Sequence, residues 1–161
     1  MHACFFLASV TDMTVATLCE AFQDTATKFA DRVALRMPGD AATITWAQYA
    51  ERVRTIAAGL ARLGVKPGDT VGLMMVNRPE FHLCDTAVLH LGGTPFSIYN
   101  TSAPEQIAYL FGNASNRVVI TERQFVPMLR RIAEQTDVTH IVCVDGAEEG
   151  AIRGGGPAGG R

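Results

Sequence analysis

The chain has 161 residues, of which 48% are hydrophobic and 19% charged, with a formal net charge of −2. That composition can bury the core of one domain and excludes a disordered chain. With no run of like charge, it gives no electrostatic case for nucleic acid or for an anionic membrane surface as a partner. The four cysteines, Cys4, Cys19, Cys84 and Cys143, include no pair at C-x-x-C spacing and so suggest neither a zinc site nor a redox motif.

In chain order, Ala3–Val10 is an apolar run preceded only by His2. It lacks the basic start of a signal peptide and is far too short to span a bilayer, so no transmembrane segment is expected. Residues 1–14 read as a disordered leader, with Met13 an alternative start. Leu18, Phe22, Ala26 and Phe29 recur at helical spacing and predict an amphipathic helix over 15–30. Val33–Met37 and Ala42–Thr45 flank the turn residues Pro38-Gly39-Asp40, the pattern of a hairpin. A second helix follows over Trp46–Leu63, with Tyr49, Val53, Ile56, Leu60 and Leu63 as its buried stripe and Gly64 as its stop. Lys66-Pro67-Gly68-Asp69 is a turn.

Strand-like runs at Val71–Val76, Pro95–Tyr99, Arg117–Thr121 and His140–Asp145 then alternate with helical stretches at about 78–91, 103–112 and 123–135. This order predicts right-handed crossovers and a mostly parallel sheet flanked by helices. Four polar pairs three residues apart, Thr45/Gln48, Asn77/Glu80, Ser102/Glu105 and Thr121/Gln124, read as capping boxes at the helix starts. Cys19 and Cys84 fall on helical apolar patterns as small core residues, and lone cysteines suit a reduced, cytoplasmic setting. Seven of the 15 glycines fall in 146–161, a composition that predicts a disordered tail. The organisation is thus a leader (1–14), an α/β unit (15–145) and a glycine-rich tail (146–161).

In an open parallel sheet, ligands bind outside the carboxyl ends of the strands. Here that edge carries the turns Asn77–Pro79, Asn100–Pro104 and Thr121–Arg123, where helix N-termini favour an anion. The competing reading is that Asn77, Ser102 and Thr121 are simply caps, and cap preference favours it. His82 and Asp85 are one helical turn apart, but His90 lies well around the helix, so no three ligands converge on a metal. No nucleophile-elbow, dinucleotide or P-loop pattern occurs. Trp46 and Tyr49 read as core residues or part of a hydrophobic staple.

The stretch Ala87–Pro104 ends an apolar helix on Gly92-Gly93, runs through a strand and turns at Tyr-Asn-Thr-Ser-Ala-Pro into a new helix. With Thr45–Tyr49 and Val65–Pro79 it resembles the N-terminal portion of the AMP-forming acyl-CoA synthetases, and its turn is most similar to the long-chain fatty-acid–CoA ligases. The resemblance covers Thr17–Asp145. It implies an incomplete N-terminal subdomain of that fold, belonging to fatty-acid metabolism by descent. The complete family enzyme uses ATP, Mg and CoA: it joins a carboxylate to AMP and passes the acyl group to the CoA thiol. The resemblance places the phosphate loop and catalytic lysine beyond these residues, so the lone chain is expected to have no catalytic residues, to need no cofactor and to be inactive. It also places Asn100, Thr101 and Ser102, with Arg123 after the next strand, on the CoA-nucleotide side. Related enzymes often have glycines in this turn, whereas this chain has Asn and Thr, which speaks against a close approach of the backbone to a ligand there. Apolar faces of Val71–Val76 and Pro95–Tyr99 are expected to lack cover, favouring self-association or a complementary ligase fragment. Two other classes stay open: an interaction module serving a separately encoded remainder, and a small stand-alone nucleotide binder.

Overall fold

The computed structural model describes residues 15–146. The leader 1–14 and all of the tail but Gly146 lie outside the described residues. Eleven regular elements follow one another: α1 (Leu18–Lys28), β1 (Val33–Arg36), β2 (Thr43–Thr45), α2 (Trp46–Arg62), β3 (Thr70–Met74), α3 (Pro79–His90), β4 (Thr94–Ser97), α4 (Pro104–Ala114), β5 (Val118–Thr121), α5 (Val126–Ala133) and β6 (His140–Cys143). Short 3₁₀ turns at Pro38–Asp40 and Arg123–Phe125 complete the set.

β1 and β2 form the antiparallel hairpin, and its turn passes through Gly39 at φ +68°, a backbone conformation that glycine adopts without steric cost. The other four strands form one sheet in the order β4-β3-β5-β6, parallel throughout, with Val71 opposite Pro95 on one side and Val118 on the other. β3 and β5 are buried on both faces, which explains their run of Val, Ile, Leu and Met. Val71, Leu73, Met75, Val118 and Ile120 face α2 and α3, packing on Tyr49, Val53, Leu60, Leu83, Ala87 and Val88. Met74 and Val119 face the opposite layer of Ile107, Phe111, Leu129 and Ile132 from α4 and α5. The molecule is therefore a helix–sheet–helix sandwich. Gly72 permits the second layer: a Cβ there would stand 3.1 Å from Ile98 Cδ1 and 3.3 Å from Phe96 Cζ and Val119 Cγ2.

α1 is held by Phe22, whose ring meets Trp46, Tyr49 and His90 edge-on at 5.8, 4.9 and 5.3 Å. The buried Tyr49 hydroxyl donates to the His82 carbonyl at 3.0 Å and shares a hydrogen bond with Thr86 Oγ1 at 2.8 Å. Cys84 is buried, and burial pushes its thiol up to about 12. Cys19 is half-buried. No helix among the described residues is long and apolar enough to cross a membrane.

Several expectations are corrected. Thr45 and Gln48 do form a capping box, but the other three proposed caps do not cap. Proline at the first helical position starts α3 and α4 one residue later, making Arg78 and Ala103 the cap positions, and Gln106, not Glu105, reaches back to the Ala103 N–H at 3.1 Å. Thr121 instead donates across the sheet to the Met74 carbonyl at 2.8 Å. A capping box not foreseen, Thr17/Glu20, opens α1. The faces of β3 and β4 are not bare either. Val71, Leu73, Met74, Met75 and Ile98 are buried and Pro95 and Phe96 half-buried; of the apolar residues in the two runs, only Val76 and Tyr99, past the strand ends, are exposed. Leu18 and Phe29, at the two ends of the α1 stripe, are also exposed.

Candidate functional site

The strand order reverses at β3: the chain steps outward to β4, then crosses back to β5 and on to β6. The crevice that such a reversal opens lies between the carboxyl ends of β3 and β5, the place where doubly wound sheets take ligands. In this chain the crevice is filled from within. Glu122, the residue after β5, is buried, and its Oε1 accepts the Val76 N–H at 2.5 Å. Its Oε2 accepts from Gln124 Nε2 at 3.0 Å and stands 3.8 Å from Arg78 Nη1. Arg78 spans the crevice: Nε donates to Glu80 Oε2 at 2.8 Å and Nη1 to Asp145 Oδ1 at 2.6 Å. Asp145, just past β6, also accepts the Arg123 backbone N–H on Oδ2 at 2.8 Å.

The electrostatics follow from these bonds. Glu80 and Asp145 raise the proton affinity of Arg78 and fix its charge. The Arg123 N–H first, and then Arg78, hold the Asp145 carboxyl below its usual range. Burial works against the charge on Glu80, but the Arg78 bond, a backbone bond and the nearby Arg52 outweigh it and leave its carboxyl lowered too. Three carboxylates thus surround Arg78. A triphosphate entering here would meet an Arg78 already held by Glu80 and Asp145, so this guanidinium is not free for the phosphates of ATP.

Of the sequence-derived candidates, Asn100 and Thr101 are exposed and Ser102 half-buried in the turn that follows β4. The Ser102 N–H closes this turn on the Tyr99 carbonyl at 3.0 Å. Ser102 also borders a shallow depression with Glu105, Gln106, Tyr109 and Leu110. Arg123 is not beside them. It follows β5, two strand positions from β4, about 10 Å along the edge. Its Nη2 donates to the Asp145 carbonyl at 3.1 Å. No group of three His, Cys, Asp or Glu that could hold a metal occurs among the described residues. The residues missed by sequence reasoning are Arg78, Glu122 and Asp145. Their one signal was a charged residue at or shortly after the end of three of the four strand runs.

Comparison with known proteins gives four findings. The sequence profile of the AMP-binding enzymes matches residues 22–155. The uncharacterized protein Rv1549 of Mycobacterium tuberculosis is 52% identical over 145 residues, which are 88% of this chain and 82% of that protein. A long-chain-fatty-acid–CoA ligase of Salmonella typhimurium is 28% identical over 127 residues, 78% of this chain but only 22% of the ligase. Among solved structures, the inhibitor-bound N-terminal domain of FACL13 from Mycobacterium tuberculosis superposes with a TM-score of 0.75 at 24% identity, covering 81% of this chain and 34% of that one. The chain thus spans nearly the whole of one relative and about a fifth to a third of the ligase and the ligase domain.

Proposed function

Since the chain belongs to the AMP-binding enzyme family, matched over residues 22–155, we propose that it is the N-terminal α/β subdomain of a long-chain fatty-acid–CoA ligase and that these residues alone do not activate fatty acids. The observation that carries this reading is the ionic cluster in the crevice. Arg78, the guanidinium that could receive a phosphate there, is already held by Glu80 and Asp145, with Glu122 behind it. The same cluster disfavours the stand-alone nucleotide binder, because a phosphate would have to displace the carboxylates that already hold Arg78. The subdomain supports the sheet of a larger, cytoplasmic enzyme. Asn100, Thr101 and Ser102 border the CoA-nucleotide path when the remainder is present, and Arg123 contributes there only by giving up Asp145.

The interaction-module reading draws its support from lengths: the chain covers 22% of the Salmonella ligase, so a partner would supply the rest of a fatty-acid-activating site. The test is pyrophosphate release by the pure protein given ATP, Mg and a fatty acid. No fatty-acid-dependent release is expected, and no change in melting temperature with ATP or CoA alone. Release that disappears in an Arg78→Ala variant of this same chain would overturn the proposal.

A further inference from the structure

The two edges of the sheet differ. On β4, the Thr94 and Ile98 N–H groups point inward to β3, so residues 95 and 97 face outward. The outward position 95 is a proline, which offers no donor, and this edge is blunted in the way native edge strands are. On β6, the His140 and Val144 N–H groups point inward to Arg117 and Thr121, so Ile141 and Cys143 face outward with both donor and acceptor. All four residues of β6 are half-buried, and no charged side chain occurs from Val138 to Val144. Among the described residues, no strand lies beyond β6.

This outer edge is complementary to itself. With a two-fold axis through Val142, an antiparallel second copy would set Ile141 opposite Cys143 of the second copy, and the reverse. These two pairs would exchange every outward N–H and C=O of the strand. His140 would meet Val144 of the second copy, and Asp145 would meet Thr139, so no like charges stand opposite each other. We propose that the protein is a two-fold dimer in which β6 pairs with β6 of a second copy, joining two four-stranded sheets into one. A shared patch of this kind closes on itself and does not propagate. The inference rests on edge geometry and does not depend on the ligase reading.

Sedimentation of the full chain across a dilution series, with residue-resolved amide exchange, tests it. The expected result is a dimer that dissociates on dilution. In the dimer the Ile141 and Cys143 amides are protected alongside those of Val142 and Val144; after dilution only the last two are. Cys143→Pro removes an outward donor while leaving the β5–β6 bonds, and should give a folded monomer. Ser97→Pro, the equivalent change on the other edge, should leave the dimer intact. A monomer at every concentration would overturn the proposal. So would a dimer whose Ile141 and Cys143 amides exchange freely, or a monomer in which they are protected by another segment of the chain.

Discussion

At the residue scale, hydroxyls that look alike in sequence have different work. Thr45 accepts the Gln48 N–H at 3.3 Å, while Gln48 Oε1 accepts the Thr45 N–H at 3.0 Å, a closed capping box. Asn77 stands at a matching distance from Glu80 yet lies outside the cap position of its helix. Thr45→Ala should therefore lower stability by about 1 kcal/mol. Asn77→Ala should stay within roughly 0.5 kcal/mol of the parent, as ordinary surface changes do. Equilibrium urea unfolding of the two variants checks the contrast, and equal losses would refute the assignment. The reason the sequence misled here is local: Pro79 and Pro104 are fixed in the helical φ range and lack an N–H, so each sets its own helix start and the preceding polar residue loses its partner.

At the element scale, Arg78 ties the ends of β3 and β6 together through Asp145, across 67 residues of sequence, and reaches the start of α3 through Glu80. Asp145 and Glu80 both have lowered proton affinity in the folded chain, relative to ordinary values of 3.8 and 4.5. Their contribution is thus fully present above those ordinary values and is lost as pH falls through the lower folded ones. The stability these two carboxylates supply should be level from neutrality down to the ordinary carboxylate range and fall below it, against the opposite trend of Asp85, whose carboxyl is raised by burial. Asp145→Asn should make that acid limb shallower, and an unchanged acid limb would remove Asp145 from the network. The alternation of strands and helices was legible because both-face burial writes continuous apolar runs and helices write a 3.6-residue period. The crevice was not. A lone arginine after one strand, a glutamate after another and an aspartate after a third carry no pattern until the β4-β3-β5-β6 order brings their ends together. The covered faces of β3 and β4 were missed for a related reason: the hydrophobic periods of α2 to α5 do not say which face each helix will take.

At the scale of the whole molecule, two apolar layers share one thin sheet, and neither can remain folded while β3 and β5 come apart. The single tryptophan, Trp46, packs in the α2/α3 layer, whereas Leu129 is fully buried in the other. Leu129→Ala should cost about 2–5 kcal/mol, and the loss should register at Trp46. Fluorescence and far-UV circular dichroism should give coincident transitions in the parent and in this variant, as two-state unfolding requires. Separate midpoints would show layers that melt independently.

The strand order also has a consequence for the chain as it is made. β3 lies at the centre of the sheet, but its partner β5 comes later in the sequence: Thr121 bonds Met74 from 47 residues downstream. At ribosomal rates of about 5–20 residues per second, roughly 2–9 s pass between the synthesis of β3 and that of β5. During that interval this apolar central strand can pair only with β4. Its Gly72-Met74 face, which α4 and α5 will cover, and its β5-side edge are then open to other nascent chains, so the yield of folded protein should depend more on how quickly residues 75–121 follow than on the stability of the finished sheet.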